Sequence, residues 1–505
     1  MIKIPRSLLA AVVLPLSIAA LYLYAKGDWP WFSVMLVGVL YAYAVQGLPW
    51  VARRRPLYTL SSVYLVIGLW LVPLGHAFGF STSQGFWLLV SFLVEIGIAL
   101  WLWVWLRPRF IRQDTLRLGV SGPLRRPVDI AVDDRFLHMH VLGPTGSGKT
   151  VGVLWPGVKQ DIASGHGILL LDPKGDLFEL AVGEARRLGR QPIALRPQEE
   201  PAFGLDPFAG EAEVASETVA YALFGAFGGQ HEFYRSVGQA MLRHAALALK
   251  EAMPEPTLPD LATFLRSEDM RREVLLQAKS AHVRAYFRDE VGGWSPRFRQ
   301  DAFIGVQSAL SEVLAHPWAR KLFTTRPATD FDRLLADGGM LCLQLPEGEI
   351  GLGARAVGAF ALLLFQAAAL RREKGPPAFI YADEFQTFAQ ADFGSFLAQA
   401  RSHRVGAVLA HQHLGQLSDD LRDAVLANAR NRVLLGGLGR EDLDRLRESL
   451  GRRFVTTPGG GLKETPRFDQ EMIRRLPRGQ AVAEVAAGGR MLPPVLVRLM
   501  RFDAP

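Results

Sequence analysis

The sequence has almost no cysteine: in 505 residues only Cys342 carries a thiol. That excludes a disulfide scaffold and any cysteine-rich zinc module, and a lone thiol suits a reducing compartment. Charge is sparse as well, at 21% Asp, Glu, Lys and Arg, whereas apolar residues reach 49%. Such a chain is not a disordered polymer, and its length allows about three domains. It contains no long repeat and no low-complexity tail, and His411 and His413 lack the company needed to hold a transition metal. Acid is the minority sign: 57 Lys and Arg against 49 Asp and Glu leave a net charge of +8, which favours nucleic acid or anionic lipid as a partner.

Long apolar runs are absent from most of the chain and crowded into its first quarter. Residues 7–25, 31–50, 57–77 and 86–106 are each long enough to cross ~30 Å of hydrocarbon at about 1.5 Å per residue. A signal peptide is the competing reading of the first run, but Pro15 interrupts it, no clear small-residue cleavage site follows, and three more runs come after. Lys3 and Arg6 precede the first run, Arg53, Arg54 and Arg55 separate the second from the third, and Arg107, Arg109 and Arg112 follow the fourth. The alternate loops hold only Lys26, offset by Asp28, or no Lys or Arg at all. The expectation is a multi-pass bundle of about four helices over residues 1–110 with both termini cytoplasmic. Glu95, the carboxylate within a span, must be paired, protonated or turned to a wet interior.

From about Val128 short β-rich runs alternate with helical ones, the pattern of an α/β fold with a largely parallel sheet. Strands are expected at residues 138–142, 167–171, 192–195, 340–345, 378–382, 405–410 and 432–435, with a terminal hairpin over 480–499. Between Glu211 and Arg333 amphipathic helices replace strands, which reads as an all-helical insertion. The expected organisation is a first part of the α/β domain over 111–225, the insertion over 226–330 and the second part over 331–505. Residues 356–370 are apolar but short of a full crossing and lie between two expected strands, so a helix buried against the sheet is the expected form.

The sharpest motif is Gly143-Pro144-Thr145-Gly146-Ser147-Gly148-Lys149-Thr150, after an apolar strand and before a helix. Its glycines let backbone N–H groups curl around a phosphate chain, Lys149 reaches the β- and γ-phosphates, and the Thr150 hydroxyl ligates Mg²⁺. ATP and Mg²⁺ are the ligands this implies. A second apolar strand, 379–382, ends in Asp383-Glu384: Asp383 is placed to hold a water on the metal and Glu384 to polarise the attacking water. The same acids also suit the start of a helix. Asp172-Pro173-Lys174-Gly175 ends a third strand, either near the phosphates or as a turn with solvated charges. After strand 405–410, Gln412 is either an amide that senses the γ-phosphate or the polar start of the next helix.

Taken together, the P-loop, Asp172-Pro173-Lys174-Gly175-Asp176, Leu205-Asp206-Pro207-Phe208, the helical insertion, Asp383-Glu384-Phe385 and Ala400-Arg401-Ser402-His403…His411-Gln412 resemble the type IV secretion coupling proteins of the TraG/TraD class, within the FtsK–HerA group of hexameric DNA pumps. The resemblance runs from about Arg135 onward. It implies a RecA-like P-loop ATPase domain with an inserted all-α domain that faces DNA-bound substrate, and a homo-hexamer in the bacterial inner membrane with its ATPase domain in the cytoplasm. It also implies DNA and the components of a transfer apparatus as partners. By the same likeness Arg401 is an arginine donated to the neighbouring subunit's site, with Arg404 as a second candidate; a simple ion pair of Arg401 with Asp392 is the plainer alternative. Two features depart from the family: its anchor commonly has two spans with a periplasmic segment between them, and the long acidic tail of some members is missing. The rival functions are a secretion ATPase that never grips DNA, a stand-alone FtsK/HerA-like motor, and a receptor whose nucleotide only fixes its shape.

Overall fold

The computed structural model describes residues 115–226, 232–373, 375–389, 393–446, 450–456 and 462–501. The expected membrane bundle, residues 1–110, lies outside them. The described residues form fifteen strands: β1 Thr115–Ser121, β2 Arg126–Ala131, β3 Met139–Leu142, β4 Gly167–Asp172, β5 Ile193–Leu195, β6 Met340–Gln344, β7 Ala378–Asp383, β8 Val405–His411, β9 Asn431–Leu435, β10 Arg452–Thr456, β11 Leu462–Pro466, β12 Gln480–Glu484, β13 Ala486–Ala487, β14 Arg490–Met491 and β15 Val495–Leu499.

Eleven of these strands form one sheet in the order β2-β1-β15-β12-β9-β3-β8-β7-β4-β6-β5. From β9 to β5 every pairing is parallel. Beyond β9 the pairings turn antiparallel through β12, β15, β1 and β2. The parallel strands are mostly apolar because both faces are covered, with His140, His411 and Asn431 among the buried polar exceptions. On β4, Ile168 and Leu170 pack to one side with the core around Trp155 and Phe178, while Leu169 and Leu171 pack to the other with the core around Phe208 and Phe360.

Among the described residues, the helices of eight residues or more are α1 to α10. Trp155–Ser164 (α1) follows the P-loop through a wide π turn, Thr150–Leu154, and ends on Gly165 at φ 74°, a left-handed conformation that glycine adopts without strain. Asp176–Arg187 (α2) has acids in its first turn and arginines in its last, each complementing the helix dipole. After β5 the chain leaves the sheet for α3 Ala212–Ala226, α4 Glu232–Ala252, α5 Leu258–Arg266, α6 Glu268–Gln277 and α7 Pro296–Val313, and returns at β6. Thr257 and Asp260 close a reciprocal capping box at the start of α5. Leu352–Arg371 (α8) is long and apolar enough to cross a membrane, yet it packs on α3 and on β4 and is largely buried. Phe393–Ala400 (α9) and Asp419–Asn428 (α10) pack on each other beside β8.

Strand β1 departs from the sequence expectation, which began the α/β region near Val128. Its signal is hidden by a charge in a core position: Arg117 is 2% exposed and faces Asp129 across the β1–β2 pair, with the guanidinium 2.7 Å from the carboxylate. A buried arginine reads as solvent-facing until its cross-strand partner is known.

Candidate nucleotide site

Four adjacent parallel strands, in the order β3, β8, β7, β4, end in the four motifs picked out above. Sheet order therefore brings together residues hundreds of positions apart at the carboxyl edge, where open α/β sheets bind ligands. The P-loop follows β3. Gly146 and Gly148 stand at φ 79° and 98°, conformations that side chains resist and that let the loop turn back on itself. The Lys149 ammonium is buried under this turn and donates to the Gly143 carbonyl at 2.6 Å. Burial lowers its pKa, an effect opposed by the charges of Glu384 and Asp383.

Asp383 ends β7 with its carboxylate 3.3 Å from the Thr150 hydroxyl that donates to it. Burial raises its pKa, against the pull of Lys174. Glu384, the next residue, has a left-handed backbone at φ 49° and ψ 49°, unusual for a side chain with a Cβ. Such strain persists only where the surroundings impose it, and here the Glu384 carboxylate is held by its neighbours. Three side chains hold that carboxylate: Gln412 donates to Oε1 at 2.9 Å, Gln386 to Oε2 at 3.0 Å, and the Lys174 ammonium lies 3.5 Å from Oε1. Burial alone would raise the Glu384 pKa, but the two amide hydrogen bonds and the charges of Lys149 and Lys174 outweigh it, so the group stays ionised below the usual carboxylate range.

The Asp172–Lys174 pair divides. Asp172 accepts from the backbone N–H groups of Lys174 and Phe178, both at 2.9 Å, and so shapes the turn into α2. Lys174 reaches the acid cluster. The nearest oxygen donors for a metal are the Thr150 hydroxyl and the Asp383 carboxylate; among the described residues no cluster of three His, Cys, Asp or Glu side chains adds a protein cage. Hard oxygens in so small a number fit Mg²⁺, which keeps waters and takes phosphate oxygens as its remaining ligands.

Arg401 sits elsewhere. It is exposed in a short 3-10 turn, Arg401–His403, at the start of β8, whereas Gln412 follows the end of that strand, so about 20 Å separates them at roughly 3.3 Å per residue. Arg404 lies at the same end, its guanidinium 5.9 Å from the Phe136 ring. Sequence reasoning missed one basic residue at the site. Arg478, in the turn before β12, donates through Nε to the Gly146 carbonyl across 332 positions of sequence, a separation that no local motif signals.

Residues 114–289 match the family model described as Type IV secretory system Conjugative DNA transfer. The resemblance to the coupling proteins is borne out. The match runs from β1 through the P-loop into the helical array. Among solved structures, the chain is similar to the plasmid coupling protein TrwB in complex with ADP and Mg²⁺, with a TM-score of 0.61 at 20% identity over 79% of this chain and 92% of that one. The TrwB complex with the GTP analogue GDPNP gives 0.60 at 20% identity, over 79% and 92%. VirB4 of Thermoanaerobacter pseudethanolicus is more distant, with a TM-score of 0.51 at 12% identity over 78% and 98%. At these identities the likeness is one of fold, a RecA-like sheet with a helical array between β5 and β6. No curated protein matches the chain.

Proposed function

We propose that this chain is an inner-membrane, hexameric, ATP-driven DNA translocase that couples DNA or nucleoprotein to export in conjugative or cell-to-cell transfer. The observation that carries the reading is the meeting of Lys149, Thr150, Asp383, Glu384 and Gln412 at the ends of three neighbouring strands, in a chain that matches the conjugative DNA-transfer family over 114–289. The solved TrwB complexes with ADP and Mg²⁺ and with ATP and GTP analogues support nucleotide as ligand. Four apolar runs and the Lys/Arg asymmetry of their loops support a multi-pass anchor with a cytoplasmic ATPase domain.

In this reading the P-loop N–H groups and Lys149 bind the phosphate chain, and Lys149 exchanges its Gly143 carbonyl for phosphate oxygen. Mg²⁺, held through Thr150 and Asp383, would supply charge neutralisation at the phosphates. Glu384, ionised and oriented by Gln412 and Gln386, takes the proton of the attacking water. Gln412 touches the acid and faces the site, so it can report the presence of the γ-phosphate to β8. Arg478 adds a positive group beside the P-loop from the same protomer.

The test is the ATPase rate of the purified full chain with no DNA, with single-stranded DNA and with double-stranded DNA. Stimulation by either form is expected. Hydrolysis that ignores both would favour an ATPase for protein export or channel assembly.

A further inference from the structure

Two histidines beneath the nucleotide site have no part in the chemistry above. His140, in β3, is wholly buried, and His411 ends β8. Register pairs His140 with Leu409 and Leu142 with His411, so both imidazoles lie on one face of the sheet. Their ring planes are 15° apart with centroids 4.9 Å apart, and their Nε2 atoms are 2.6 Å apart, the end-to-end arrangement of a hydrogen bond between the rings.

The proton positions follow from the partners. The Nδ1 of His411 lies 3.0 Å from the His413 carbonyl, which can only accept, so this nitrogen carries a hydrogen. In a neutral ring its Nε2 is then a bare lone pair, and the hydrogen between the rings belongs to His140. The remaining nitrogen of His140, Nδ1, is a buried acceptor with no donor among the described residues. Both rings are neutral: burial pushes the His411 pKa down to about 4 and that of His140 well below the ordinary value.

His411 is also bounded by the machinery on its other sides. Phe385, next to Glu384, stands edge-on to its ring at 5.2 Å. Its carbonyl accepts the Gly143 N–H at 3.3 Å, and Gly143 in turn holds Lys149. The His411–His413 bond closes the turn that carries Gln412, whose amide meets Glu384 at 2.9 Å.

We infer that His411, seated on His140, is a positioning residue that acts through Gln412: its Nδ1–H bond to the His413 carbonyl sets the turn that aims the Gln412 amide at Glu384. This rests on the reading of Glu384 and Gln412 as parts of a nucleotide site. An apolar side chain at 411 would leave both ring nitrogens of buried His140 without a partner, whereas the pair as it stands satisfies Nε2 and also holds the turn.

The test is a double-mutant cycle on the full chain, read in two ways: steady-state ATPase, and the ratio of affinities for a non-hydrolysable ATP analogue and ADP. His411→Ala is expected to lower kcat about tenfold to a hundredfold, the scale of a misplaced catalytic group, with KM little changed. His411→Asn, whose amide N–H stands near the place of Nδ1, should restore most of that loss; His411→Gln, whose amide reaches towards His140, should not. In a Gln412→Ala background, His411→Ala should cost nothing further, because the two act as one unit. Losses that multiply in the double variant, or equal rescue by Gln and Asn, would overturn the inference and leave His411 a packing residue. If the wild-type chain binds nucleotide without hydrolysing it, the hydrolysis reading fails, but the affinity ratio still decides: His411→Ala, Gln412→Ala and the double variant should share one value. Should His411→Ala not fold, the contrast between Asn and Gln carries the test.

Discussion

Lys149 and Glu384 are both buried near the same phosphate site, yet they should fail in different ways. Lys149→Ala removes the cation proposed to meet the β- and γ-phosphates and is expected to abolish tight nucleotide binding. Glu384→Gln keeps the shape and the Gln412 contact but cannot take a proton, so binding should persist while turnover falls by at least ~10²-fold. Equal loss of affinity in both, measured with a fluorescent nucleotide, would make Glu384 structural. Buried histidines set a second residue-scale expectation. Burial holds His138 and His411 at about 4 and lowers His140 and His244, against 6.5 for an ordinary histidine. In the window from about 4 to 6.5 the unfolded chain binds more protons than the folded one, so stability is full above that window and is lost as pH falls through it. His138 and His411 each contribute on the order of 3 kcal/mol. Asp383 and Glu484, whose pKa values burial raises, act in the opposite sense, but the four histidines outnumber them. The urea midpoint should therefore drop between pH 7.5 and pH 5; an unchanged or higher midpoint at pH 5 would contradict the assignment of neutral rings.

At the scale of elements, legibility followed apolar runs. Strands β3 to β9 are short stretches of Val, Leu, Ile and Ala bounded by Gly, Pro and Asp, and each lies within a residue or two of its expected place. Helix α8 was separable from a membrane span because it is flanked by strands. Strand β1 was hidden by Arg117, and the β10–β11 hairpin by Arg452, Arg453, Lys463 and Glu464, whose charges break the alternation that marks a half-buried strand. The P-loop and the acid pair are local motifs and were readable; the left-handed turn of Glu384 and the approach of Arg478 depend on tertiary neighbours and were not. The helical array offers a prediction of its own. Arg271, Arg272, Arg284, Arg288 and Arg299 line a cavity of about 570 Å³ floored by Phe287 and Phe303. Arg288 is matched by Asp289 through two bonds of 2.7 Å, whereas among the described residues Arg284 and Arg299 bond backbone carbonyls and meet no carboxylate. If DNA crosses this surface, replacing Arg284 and Arg299 with Gln should lower the salt dependence of binding by about one unit of slope per lost phosphate contact, and Arg288→Gln should leave it unchanged. A slope indifferent to all three would remove the cavity from the DNA path.

At the scale of the whole molecule, the geometry of β8 bears on assembly. Gln412 stands at its carboxyl end against Glu384 and Arg401 at its amino end, so within one protomer Arg401 is too far from the proposed nucleotide site to reach it. Arg401 is exposed and has no carboxylate partner among the described residues; Asp392, the alternative expected from sequence, lies outside them. An exposed arginine at the far end of a strand from its own site is free to enter a neighbour's site in a ring. Supplied in trans, such a guanidinium raises turnover by ~10³–10⁵ through stabilisation of transition-state charge. Arg478 sharpens the contrast, because it approaches the P-loop of its own chain and its loss should be felt by a monomer. Mixed rings separate the two. Glu384→Gln and Arg401→Ala chains should each be inactive alone, while an interface formed by the intact Glu384 of one and the intact Arg401 of the other contains a complete site, so mixing them should restore part of the ATPase. Mixing Glu384→Gln with Arg478→Ala tests nothing across an interface if Arg478 acts in cis, since a chain lacking Arg478 then carries its defect into every site it owns. Recovery with Arg401→Ala but not with Arg478→Ala is the expected outcome. Failure of both under verified subunit exchange, together with a monomeric mass at working concentration, would rule against a ring motor and favour a chain whose nucleotide fixes its shape.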